Sequence, residues 1–169
     1  MVLMVFTEMM FFAGLLSAWE IMRTKATTWP PMGQPRLPFE ETAFNTTALL
    51  VSGVVMFLAD RAWKQSPAKA LPRLVVTLAL GTFFVGFQGV EWLRLLGQGM
   101  TMTSGPVGSF FYVIIGSHAV HAVLGLGVLS WAILRLRAGK LKRSEFATVQ
   151  VFWYFVVLLW PMLYFKVYR

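Results

Sequence analysis

Few side chains in this sequence could carry chemistry, and most of them sit inside apolar runs. His118 and His121 are three residues apart, a spacing that puts both imidazoles on one face of a helix. Neutral imidazoles can ligate a metal. A haem inside a helix bundle, however, takes axial ligands from facing helices, and the sequence has only these two histidines. A copper or zinc set would have to recruit Glu8, Glu91 or methionine. Hydrogen bonding between helices is therefore the favoured reading, with Gln88 at a similar depth as the partner of His118. Glu8 lies in Phe6-Thr7-Glu8-Met9-Met10-Phe11-Phe12 with no Lys or Arg one turn away. An ionisable group in hydrocarbon costs several kcal/mol unless paired or neutralised. Two readings stand for this carboxyl: it lines a lipid-filled or water-filled crevice on a proton path, or it is protonated and bonds a neighbouring helix. Gln88 and Glu91 share one face of the third apolar run, with Arg94 one turn beyond Glu91, which predicts an intrahelical Glu91–Arg94 ion pair.

The elements that must position these groups are membrane spans. Of 169 residues, 57% are hydrophobic and 13% charged, and the mean hydropathy is +0.67, outside the balance of a soluble domain. A spanning helix needs about 20 mostly apolar residues, and five segments qualify: 2–22, 43–62, 71–92, 108–134 and 147–167. None alternates with the period of a membrane barrel strand. The expected fold is an all-α membrane protein, a single transmembrane domain over residues 1–169 built as a five-helix bundle. Trp29-Pro30-Pro31-Met32-Gly33-Gln34-Pro35 breaks the first helix from the second, and Gly97 to Pro106 reads as a polar loop, since proline lacks the amide hydrogen and restricts its predecessor. The short Gln65-Ser66-Pro67 link makes the second and third helices antiparallel neighbours. The first run has no basic leader and carries Glu8, so it reads as a retained helix rather than a signal peptide.

With no cysteine, disulfides, thiolate metal sites and cysteine nucleophiles are excluded. Phosphate-binding glycine loops, nucleophile elbows and carboxylate dyads are not found either. The net charge of +8 falls between apolar runs rather than along a basic stripe, which points to anionic lipid headgroups and not to nucleic acid. With the amino terminus inside, nine Lys and Arg fall on the cytoplasmic side and six opposite, so the amino terminus is expected inside and the carboxyl terminus outside. Trp19, Trp29, Trp63, Trp92 and Trp131 fall near span ends, where indoles favour the interface. Asp60 and Arg61 are read as interfacial, and Trp29 and Arg61 as headgroup contacts. Glycines 81, 86 and 89, with 116, 125 and 127, permit close helix approach.

Several strings, in order, match one known family. Thr7-Glu8-Met9-Met10-Phe11-Phe12-Ala13-Gly14 is similar to its glutamate-bearing Ser-Glu-x-x-Phe-Phe-Ala-Gly helix, and Trp29-Pro30-Pro31-x-Gly33 follows. Asn45-Thr46 and Leu49-Leu50-Val51-Ser52-Gly53 resemble its Leu-Asn-Thr and Leu-Leu-x-Ser-Gly stretches. Gln88-Gly89-Val90-Glu91-Trp92 resembles Gln-x-x-Glu-Tyr, and Gly116-Ser117-His118-Ala119-Val120-His121 resembles Gly-x-His-Gly-x-His. The chain thus resembles subunit III of the haem-copper oxidases in the five-helix form, over essentially its whole length. The resemblance implies a non-redox accessory subunit of a proton-pumping terminal oxidase that reduces dioxygen to water. It would sit in a prokaryotic cell membrane beside the catalytic subunit I and subunit II. Haem and copper would reside in those partners, none on this chain, and structural phospholipid would lie in a cleft. It carries family carboxyls onto Glu8 and Glu91, the histidine pair onto His118 and His121, and a lipid-phosphate position onto Arg135. One departure is Tyr154-Phe155-Val156-Val157 where the family often has His-Phe-Val-Asp, which removes any role of that Asp. Longer members also have two further leading helices. The alternatives are a paralogue accompanying a nitric oxide reductase and a free-standing haem or metal electron carrier using His118 and His121. A small transporter ranks third, without a convincing inverted repeat.

Overall fold

The computed structural model describes residues 2–25 and 39–168. Trp29, Arg36 and the proline-rich string around them lie outside the described residues, so the headgroup contact expected of Trp29 is not addressed by it. Five helices follow one another: α1 Val2–Lys25, α2 Phe39–Gln65, α3 Pro67–Gly97, α4 Pro106–Arg137 and α5 Arg143–Val167. All five are long and apolar enough to cross a membrane, and the chain is a multi-pass membrane protein.

The helices run past the apolar segments at several ends. At about 1.5 Å per residue, the 31 residues of α3 span about 46 Å, more than the roughly 30 Å of hydrocarbon. Their end turns therefore reach the headgroup layer, and this is why hydropathy alone places the boundaries too far inward. The prolines also begin helices rather than ending them. Pro67 and Pro106 occupy the first turns of α3 and α4, where the missing amide hydrogen costs nothing. Pro72 and Pro161 lie inside α3 and α5. At the other ends, Gly99 and Gly139 adopt positive φ of 84° and 66°, the left-handed geometry that turns the chain out of α3 and α4.

Helices α2 to α5 form a closed bundle in which each packs on its sequence neighbour and α2 also meets α5. By contrast, α1 packs only against α4 and α5. The consequence shows in burial: 17% of the most apolar stretch of α1 is buried, against 56% for α5. Helix α5 is the hub. Its Trp153 and Trp160 are almost wholly buried, and α2 supplies the groups that receive them. The Trp153 indole donates to the Ser52 hydroxyl at 3.2 Å and the Trp160 indole to the Thr46 hydroxyl at 2.8 Å. Asn45 donates to the Phe84 carbonyl of α3 at 3.1 Å. Apolar side chains gain little by leaving lipid for another helix, so such hydrogen bonds and close packing set the pairing.

Charges gather at the two ends of the bundle. At one end, Glu41 of α2 meets Arg94 of α3 at 2.6 Å and Glu20 of α1 meets Lys166 of α5 at 2.6 Å. At the other, Asp60 of α2 takes both Arg143 of α5 at 2.5 Å and Lys64 at 3.5 Å, while Arg135 of α4 lies 3.4 Å from Glu145 of α5. Asp60 is thus buried and paired rather than simply interfacial. Arg61 stays exposed, its guanidinium 4.6 Å from the Phe57 ring. The tryptophans also divide. Trp131 is exposed beneath Arg135, but Trp19 is wholly buried and donates to the Lys166 carbonyl at 3.0 Å, so it ties α1 to α5 and is not an interfacial indole. Trp63 stacks on Phe146 at 4.7 Å.

Candidate functional site

His121 faces α1. Its Nδ1 lies 2.7 Å from the Ser117 carbonyl one turn back, and a carbonyl only accepts, so Nδ1 carries hydrogen. Its Nε2 lies 3.2 Å from Glu8 Oε2. One proton then serves this contact, on the imidazole or on the carboxyl. The pair is partly covered, with the Glu8 side chain 30% exposed, and it borders an open groove between α1 and α4 lined by Thr7, Glu8, Phe11, Ser117, Val120 and His121. The partner of Glu8 thus stands across the α1–α4 contact and not one turn away along its own helix.

His118 is not bonded to Gln88, as had been expected. It is almost wholly buried, its ring 5.0 Å from Trp160 and edge-on to Phe84 at 6.3 Å. Neither ring nitrogen has a hydrogen-bond partner among the described residues. Gln88 is drawn away by a second cluster. Its amide donates to Glu91 Oε2 at 2.8 Å and to the Tyr168 hydroxyl at 2.9 Å, while the Thr42 hydroxyl donates to Glu91 Oε1 at 2.7 Å. Glu91 is 1% exposed, and its hydrogen-bond donors come from α2 and from α3 itself. The expected Glu91–Arg94 ion pair is absent, because the longer α2 brings Glu41 within reach of the Arg94 guanidinium at the bundle end. Thr42 and Tyr168 complete this cluster, and the sequence did not point to either. Thr42 lies just outside the apolar segment of α2 and Tyr168 at the chain's end, and neither belongs to a motif.

Arg135 is half-buried and already engaged: it lies over the Trp131 ring, donates to the Lys140 carbonyl at 3.2 Å and faces Glu145. The glycines divide as well. A Cβ on Gly81 would collide with Trp153 and Leu126, and one on Gly125 would sit 3.2 Å from Trp153, whereas Gly86, Gly89 and Gly127 face open space. Val157, where the family often carries Asp, fills the gap left by Gly53.

His121 is committed to Ser117 and Glu8, His118 is enclosed by rings, and among the described residues no group of three or more His, Asp or Glu converges as metal ligands.

Comparison with known proteins identifies the family. The family model for cytochrome c oxidase subunit III matches residues 1–169. A probable cytochrome c oxidase subunit 3 of Nocardia farcinica is 31% identical over 96% of this chain and 82% of its own length. The cytochrome c oxidase subunits 3 of Rhizopus stolonifer and Ornithorhynchus anatinus are 31% and 30% identical over 99% of this chain, which spans 62% and 67% of their lengths. With five spans and a match along the whole sequence, the chain belongs to the cytochrome c oxidase subunit III family.

Proposed function

We propose that this chain is the non-redox third subunit of a proton-pumping terminal oxidase in a prokaryotic cell membrane, with its amino terminus inside. It packs beside a catalytic haem-copper subunit and subunit II, where dioxygen is reduced, and keeps phospholipid in the groove between α1 and α4. The observation that carries the reading is the Glu8–His121 contact at that groove. A proton held between a carboxyl and an imidazole fixes α1 to the bundle without leaving a bare charge in hydrocarbon, and the exposed apolar side of α1, with Phe6, Met9 and Met10, remains for acyl chains or a partner helix. The cationic end carrying Arg61, Lys69 and Arg73 suits anionic headgroups, and Arg135 contributes there in spite of its contact with Glu145.

Isolation in mild detergent tests this. A large histidine-rich subunit with a haem spectrum should co-purify, and the chain separated from it should show no Soret band. A Soret band retained by the separated chain would overturn the reading. In the complex, Glu8→Gln should leave assembly intact and change sustained turnover, whereas loss of assembly would reduce Glu8 to a structural bond.

A further inference from the structure

Helix α1 is fastened to the bundle in two unlike halves. In its carboxyl-terminal half, Leu16 and Trp19 are buried, the Trp19 indole donates to the Lys166 carbonyl at 3.0 Å, and Glu20 pairs with Lys166 at 2.6 Å. Of residues 3–12, only Phe12 is buried, and one polar contact reaches another helix, from Glu8 to His121 at 3.2 Å. The amino-terminal half also has space on both sides. Thr7, Glu8 and Phe11 border the groove against α4, and a second groove of about 340 Å³ separates Val5 and Met9 from Tyr154, Leu158 and Met162 of α5. Apolar side chains gain little by leaving lipid for another helix, so an element with few buried contacts opens first.

Between the halves, the helix is built to bend. Gly14 is exposed, and a Cβ there would meet nothing within 4 Å. Glycine also holds a helix less firmly than any residue but proline. The Ser17 hydroxyl donates to the Ala13 carbonyl at 2.8 Å, the oxygen that the Ser17 backbone N–H addresses in an α-helix. Such back-bonding bends helices, and in a bilayer a hydroxyl so placed keeps a carbonyl paired when its helical bond opens. A bend at Ala13 to Ser17 therefore leaves no bare carbonyl in hydrocarbon.

We propose that the amino-terminal half of α1 is a hinged flap that pivots about Ala13 to Ser17, with the Glu8–His121 contact as its latch. Released, the flap widens the α1–α4 groove while Trp19 and Glu20 stay on Lys166. The flap rests on the Glu8–His121 contact and not on the phospholipid proposed for the groove, so either can fail alone.

The test measures distances between nitroxides by double electron–electron resonance in the assembled complex. The chain has no native cysteine, and the complex without introduced cysteines supplies the blank. One pair, Leu3→Cys with Val54→Cys, reports the flap; the other, Ile21→Cys with Phe44→Cys, reports the fixed half. All four positions are exposed, on α1 and α2, which do not pack together. Glu8→Leu should raise the population of a longer flap distance about threefold, and at most about twentyfold, the loss of one hydrogen bond of average or greatest strength in a bilayer. The distance in the fixed half should not change. Glu8→Gln should match the wild type, since its amide donates to His121 Nε2 in place of the carboxyl. His121→Phe should behave as Glu8→Leu does, so either variant serves if the other fails to assemble. Four results would each overturn the proposal: an unchanged flap distance without the latch, both pairs lengthening together, Glu8→Gln displaced as far as Glu8→Leu, or loss of assembly in both latch variants, which would make the contact a fixed joint.

Discussion

Gly81 is the position where the packing can be tested most sharply. A Cβ there would lie 2.4 Å from Trp153 Cη2, 2.8 Å from Trp153 Cζ2 and 2.8 Å from Leu126 Cδ2. Carbon atoms rest about 3.5–4.0 Å apart, so the indole would have to retreat by about 1.1–1.6 Å. It is badly placed to do so. Another edge of the same ring lies 3.2 Å from where a Gly125 Cβ would stand, and the indole N–H is already 3.2 Å from Ser52. Overpacking costs about 1–3 kcal/mol, and losing the Ser52 bond adds about 0.6 kcal/mol, at most about 1.7. Gly81→Ala should therefore destabilise the bundle by about 2–4 kcal/mol. Gly86→Ala, five residues along the same helix with nothing within 4 Å of its Cβ, should be neutral or gain up to about 1 kcal/mol of helix propensity. Loss of helical circular dichroism against SDS mole fraction in mixed micelles measures both. If Gly81→Ala unfolds at the same mole fraction as Gly86→Ala, the close approach of α3, α4 and α5 around Trp153 is wrong.

Two further outcomes follow from single contacts. Thr46→Val removes the acceptor of the Trp160 indole and should cost about 0.6–1.7 kcal/mol in the same titration, with Thr46→Ser close to wild type; equal loss in both variants would mean that the methyl and not the hydroxyl matters. An apolar carbodiimide should label Glu8 from the lipid side, and unchanged labelling of the Glu8→Gln chain would show that another carboxyl reacts.

The five spans were legible because a bilayer imposes a coarse rule: about 20 apolar residues or no crossing. Their ends were less legible. Phe39 to Thr42 and Leu93 to Gly97 mix charge with apolar bulk and so fall outside an apolar window, yet they continue the helices. That difference matters chemically, because the added turns of α2 bring Glu41 to Arg94 and Thr42 to Glu91. The candidate residues themselves were visible as polar groups in apolar runs. Their partners were not, since helical spacing describes neighbours along one helix while His121, Trp160 and Asn45 all reach across to others. The strings Asn45-Thr46 and Ser52-Gly53 entered only by resemblance. Their physical role is now plain: one amide, two hydroxyls and one missing side chain fit α2 against α3 and α5.

Gln88 explains why the cluster around Glu91 is complete while its own amide oxygen is unpaired. Its amide nitrogen has two hydrogens, and both are spent on one side, toward Glu91 and Tyr168. Its oxygen is left buried with no hydrogen-bond partner among the described residues. Turning the amide over would set its oxygen against the Glu91 carboxyl in place of an N–H donor. An uncompensated carboxyl in hydrocarbon costs more than an unpaired amide oxygen, so the orientation is set by Glu91. The amide oxygen is thereby left unpaired so that the Glu91 carboxyl meets donors from both α2 and α3.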